Sequence, residues 1–155
     1  MTRFLILAIA AALSPAAASA AIRIERPEIR ATIGAQPTAA AYMVVRNTGR
    51  VPDQLISAEC ACAESVMAHR TVVQDGVSRM LMETSVAIPP HGQVAFTPKG
   101  LHLMLTGVKA PIAAGSRTPL VLTFARAGRV RVAFVGTDRP GETDGASAPH
   151  GHHAR

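Results

Sequence analysis

From residue 21 onward the chain is a succession of short segments rich in Val, Ile, Thr and Leu, cut at close intervals by Gly, Pro, Asn and Asp. Such segments specify strands, and no window after residue 20 sustains the 3.6-residue apolar period that a helix requires. The strand segments are 22–26, 40–46, 54–59, 65–73, 77–83, 93–97, 101–105, 120–125 and 130–135. The breaks between them carry turn chemistry: Asn47-Thr48-Gly49, Gln74-Asp75-Gly76, Pro89-Pro90-His91-Gly92, Pro98-Lys99-Gly100 and Ala127-Gly128. Regular turns between this many short strands predict an all-β fold, a two-sheet sandwich with Greek-key connections.

The two ends depart from this pattern. Arg3, the apolar run 4–13 and the small residues Ala18-Ser19-Ala20 have the layout of a secretory signal peptide, with cleavage expected after Ala20. The apolar run is shorter than the roughly 20 residues that a spanning helix needs, so no membrane span is expected after cleavage. The predicted domain occupies residues 21–137. The tail, 138–155, is rich in Pro, Gly, Ala, Ser and charge without apolar spacing, and is expected to be disordered.

Charge narrows the function classes. The formal net charge is +6, and loss of Arg3 with the leader leaves +5. The arginines are scattered (Arg23, Arg46, Arg79, Arg126, Arg131) and form no basic run. Four Phe and one Tyr offer few surfaces for stacking bases, so nucleic acid is not an expected partner. The two cysteines, Cys60 and Cys62, are read as one residue apart on a strand with both side chains on one face. A bridge between such near neighbours is strained. A labile vicinal pair, or two small buried residues, is expected ahead of a metal role.

The ligand-type residues are more informative. His69, Met80, His102 and Met104 follow the spacing H-X10-M-X21-H-X-M. His102 and Met104 are at i and i+2 in LHLML and project from one strand face. His69 and Met80 flank the Gln74-Asp75-Gly76 turn and lie near the same end of a predicted hairpin. Imidazole with thioether suits Cu(I), because thioether is a soft ligand whereas Mg, Ca and Mn prefer oxygen. Methionine also avoids the disulfide chemistry that thiols meet in an oxidising compartment.

This spacing resembles the metal motif of the PCuAC-type periplasmic copper chaperones. So do AAYMVVRNTG at 40–49, QDGVSRM at 74–80, IPPHGQVAFTPKGLHLMLTGVKAP at 88–111 and PLVLTFARAGRVRV at 119–132. The likeness covers about residues 22–135. It implies a cupredoxin-like β-sandwich holding one Cu(I) near its surface on His69, Met80, His102 and Met104. It also implies a periplasmic location in a Gram-negative bacterium and delivery of copper towards the CuA centre of cytochrome c oxidase. The acceptor would be apo subunit II or a Sco-type copper protein. Where the family often has further methionines, this chain has Thr71 and Ser78, and it carries Met67 and Met82 instead.

Taken singly, a His or Met is more often a hydrogen-bonded or space-filling residue than a ligand. The four together favour metal. Met67 and Met82 are expected to pack, with service as outer ligands the lesser alternative, Met43 to lie in the core and His91 to be exposed in its turn. Glu83 reads equally as an acceptor for a ligand imidazole or as an exposed strand end. His150, His152 and His153 offer an auxiliary site for Cu(II).

Three rivals fit less well. A blue-copper carrier needs a Cys thiolate beside two His, and no cysteine lies near His102. An enzyme is not expected, for the chain has no G-x-S-x-G or H-E-x-x-H. An adhesion sandwich leaves the His/Met pattern unexplained. Copper storage remains the alternative to copper transfer.

Overall fold

A computed structural model describes residues 21–140. The expected signal peptide, residues 141–155 of the tail and the expected auxiliary ligands His150, His152 and His153 lie outside the described residues. Ten strands make up the fold: β1 (Ile22–Arg30), β2 (Thr38–Asn47), β3 (Asp53–Glu59), β4 (Ser65–Gln74), β5 (Val77–Glu83), β6 (Val86–Ile88), β7 (Gln93–Phe96), β8 (Leu101–Thr106), β9 (Arg117–Phe124) and β10 (Gly128–Thr137). No helix occurs among the described residues. The architecture is the expected all-β, cupredoxin-like one. The segments at 22–26 and 130–135 extend further than their apolar runs, and three-residue β6, between Ser85 and Pro89, was too short to signal itself.

Hydrogen bonding runs in the order β5-β4-β8-β2-β1-β10-β9-β3-β6, with β7 on β2. A single pairing, Ala58 with Val66, ties β3 back to β4 and closes the ring. Every strand pair is antiparallel except β1 with β10. β1 pairs β2 along one edge and, over Glu28–Arg30, β10 along the other, and its register with β2 breaks between Glu25 and Glu28, where Arg26 takes φ 49°. Such an irregularity bends a strand and re-aims its second half. β2 divides its other edge, giving residues 38–41 to β8 and 43–46 to β7.

The core follows from period two. Leu101, Leu103 and Leu105 of β8 point inward to meet Leu120, Leu122, Phe124 and Phe134 from β9 and β10, with Ile29 and Val45 from β1 and β2. Residues 41–45 of β2 are buried on both faces, the near-continuous apolar run that a central strand shows. Met43 is in this core, as expected. Asp53 is buried but satisfied: its carboxylate accepts the backbone N–H groups of Gln54, Arg126 and Ala127 and so pins the β9–β10 turn to β3.

Cys60 and Cys62 form a disulfide in the turn between β3 and β4. Their expected placement on a strand is corrected: pairing of β3 stops at Glu59, and the chain must turn to enter β4. The bridge joins residues two apart and therefore constrains only this turn.

Candidate metal centre

Because inward leucines occupy alternate positions of β8, His102 and Met104 must face the other way. The neighbouring registers then decide what they meet. His69 of β4 lies directly opposite His102, and Met67 lies opposite Met104. On the far side of β4, Met82 of β5 lies opposite His69, and Met80 lies opposite Thr71. Residues directly opposite in an antiparallel pair share a face, and their diagonal neighbours remain within reach of long side chains. All four motif residues therefore share one sheet face, with Met67 and Met82 among them. Diagonal placement, not direct pairing, relates His69 to both Met80 and Met104.

The two imidazoles differ in surroundings. His102 is 5% exposed, walled by Tyr42, whose ring centroid lies 6.5 Å away. Its Nδ1 lies 3.0 Å from the Gly100 carbonyl. With Nδ1–H donating there, the tautomer is fixed and Nε2 keeps its lone pair for a metal. His69 is half-buried, and its ring meets that of His102 edge-on at 6.2 Å between centroids. Its Nδ1 is buried with no hydrogen-bond partner. An unsatisfied buried nitrogen costs free energy, and a bound cation is a partner that would satisfy it.

Met80, His102 and Met104 line one surface cavity of about 320 Å³, together with Tyr42, Thr71, Pro98 and residues of the 30–40 segment. Burial raises the Tyr42 hydroxyl above its ordinary pKa, against a smaller opposing effect of the Arg30 charge, so this wall stays neutral well into alkaline solution. No three His, Cys, Asp or Glu side chains converge among the described residues. An ion in this cavity would therefore depend on thioether beside imidazole, a neutral and soft donor set suited to Cu(I).

One expectation about the surrounding residues is revised, and one reading left open is decided. Met67 and Met82 do not pack into the core: they are 43% and 61% exposed, because alternation aims them outward beside the histidines. Sequence spacing alone could have found this, since each is two residues from a proposed ligand. Glu83 lies opposite Ala68, on the other face of the sheet from the histidines, and its carboxylate accepts a hydrogen bond from Arg70 Nε at 2.6 Å. It is an exposed strand-end ion pair and not an imidazole acceptor. His91 is exposed in its turn, as expected.

A family model described as "Putative lipoprotein LpqE-like" matches residues 22–135. The lipoprotein Lxx21020 of Leifsonia xyli subsp. xyli (strain CTCB07) is 33% identical over 87 residues, 56% of this chain and 52% of its own length. The chain thus spans about half the length of the curated relative it matches. Among solved structures, the copper-bound PCuAC domain from PmoF2 superposes with a TM-score of 0.65 at 28% identity, over 75% of this chain and 92% of that one. Cu(I)-bound DR1885 from Deinococcus radiodurans superposes with a TM-score of 0.60 at 26% identity, over 74% and 76%.

Proposed function

This chain belongs to the LpqE-like family and has the PCuAC fold, and on that premise we propose that it binds one Cu(I) through His69, Met80, His102 and Met104 and hands it on as an exported copper chaperone. The observation that carries the reading is the register that sets His69 opposite His102, with both methionines diagonal to His69 on the same face. The unpartnered His69 nitrogen and the oriented His102 ring support it from the side of chemistry. Copper-bound relatives of the same fold support it from the side of comparison.

The four donors are neutral, so the bound ion keeps its single positive charge and can leave by exchanging one soft ligand for another. Copper is cargo here, and the protein catalyses no reaction. The proposed route runs through the periplasm to apo cytochrome c oxidase subunit II, towards CuA, or through a Sco-type copper protein. His150, His152 and His153 would add a weaker Cu(II) position, since clustered imidazoles suit that ion.

Anaerobic Cu(I) titration of the chain from Ala21 onward, followed by mixing with apo subunit II and separation, tests the reading. The expected result is one tightly held Cu(I) on the sandwich and its recovery on the acceptor. Copper that stays on the donor would identify a storage protein instead. Failure to retain Cu(I) at all would overturn the metal assignment.

A further inference from the structure

The thioethers of Met67 and Met82 are not used by the four-donor centre, yet they lie beside it. Met67 is directly opposite Met104. Met82 is directly opposite His69, which makes Met67 and Met82 diagonal neighbours across β4 and β5. Diagonal side chains in such a pair stand about 7–8 Å apart at their Cα atoms, and a methionine is long enough for two of them to converge on one ion between them. Both residues also line a cleft of about 160 Å³ where β3 and β5 part along the edge of β4. Met80, His102 and Met104 line the other cavity. Along β4, His69 stands between the Met67 and Thr71 positions, in the cross-strand row that also holds Met82 and His102, so it adjoins both cavities' methionines.

Exposure adds to the argument. Both thioethers are open to solvent, Met67 at 43% and Met82 at 61% exposure, and both lie on the histidine face of the sheet. β5 is the terminal strand of the hydrogen-bonding order and is exposed along nearly its whole length. Met82 therefore stands at the rim that an incoming ion or acceptor meets first.

We infer that Met67 and Met82 form a second, outer position for a soft monovalent cation, through which Cu(I) enters and leaves the His69–His102 centre. The inference rests on the copper reading above. Two neutral thioethers hold the ion more weakly than two imidazoles and two thioethers. Transfer inward exchanges the Met67 and Met82 sulfurs for His69 first, then for the donors around His102. No electron or proton moves in this exchange; Cu(I) stays Cu(I) and the imidazoles stay neutral.

The test is anaerobic titration of Cu(I) into the full mature chain carrying ¹³C-methyl methionine, read by NMR. Buried Met43 serves as the control for fold. The first equivalent should shift the Met80 and Met104 methyls, and the second should shift those of Met67 and Met82, with Met43 unmoved. The double variant Met67→Leu/Met82→Leu, which conserves apolar volume, should keep the first set of shifts, lose the second, and release copper more slowly to a chelator. Met67 and Met82 methyls that stay fixed through two equivalents, after Met80 and Met104 have moved, would overturn this inference and leave the inner centre standing. Simultaneous shifts of all four in the first equivalent would also overturn it, in favour of one shared site. No response from Met80 or Met104 would instead sink the inner centre itself.

Discussion

β8 and β5 both carry copper-type donors, yet one is built into the core and the other hangs at the margin. β8 lies between β4 and β2, its leucines are almost fully buried, and even its outward His102 is covered. β5 pairs only with β4, and Met80, Leu81 and Met82 are all at least half exposed. Three of the proposed donors, His69, His102 and Met104, are therefore held on strands paired on both sides, and Met80 on one paired on a single side. Core side chains sit in defined rotamers, whereas a singly paired edge has little to fix it. A centre made this way is pre-formed on the His102 side and adaptable on the Met80 side, a useful division for a protein that must both hold an ion and release it.

The contrast is broken or sharpened most strongly by stability. Leu103→Ala removes a fully buried side chain from β8 and should cost about 2–5 kcal/mol, from lost transfer energy and the cavity left behind. Leu81→Ala makes the same chemical change on β5, where the side chain is 50% exposed, and should stay within about 0.5 kcal/mol. Urea unfolding of both variants measures the difference. Equal losses would mean that β5 is packed against something the contrast omits.

Affinity is the next measure. His102→Ala removes an oriented donor from the rigid half and should weaken Cu(I) by at least about 100-fold, more than the loss of a group that merely orients a ligand. Met80→Leu removes a donor from the adaptable half, where Met82 stands one pairing away on the same strand face and can take its place, so the loss should be about tenfold or less. Competition against a Cu(I) chelator reads both. If Met80→Leu costs as much as His102→Ala, β5 is no more adaptable than β8.

The same contrast separates what sequence makes legible from what it does not. The strands of both halves could be read from turn residues and alternation, and LHLML by itself places His102 and Met104 on the face away from the leucines. The hairpin also told that His69 and Met80 are near one another. Which strand lies beside which could not be read: β4 and β8 are joined by a pairing of residues 33 apart, His69 with His102, and that adjacency is set by how the whole core closes. Met67 and Met82 show the cost of ignoring periodicity. As isolated methionines they looked like filler, but at i±2 from proposed ligands their strand parity made them surface residues. Cys60 and Cys62 show the limit of periodicity, which fails as soon as a strand ends.

The smallest expected effect tests whether position near the core strengthens an exposed charge pair. Arg46 of β2 donates from Nε to the Glu25 carboxylate of β1 at 2.8 Å, with a second contact from Nη2 at 3.5 Å. That hydrogen bond is the main reason the Glu25 carboxyl is held below its usual range, partial desolvation opposing it. A carboxylate with a depressed folded pKa contributes stability that is present above its unfolded pKa and is lost as pH falls through the folded value. Arg46→Gln should therefore change little at neutral pH beyond the pair's own small contribution, and should flatten the decline in stability below the ordinary carboxylate range. Both side chains are 42% exposed, so solvent and salt screen the pair. The difference between variant and parent should accordingly shrink as ionic strength rises. Urea unfolding as a function of pH at low and high salt checks this. β2 is buried on both faces over residues 41–45, and a neutral-pH loss in Arg46→Gln approaching that of Leu103→Ala would show that charge, and not packing, supports the inner half.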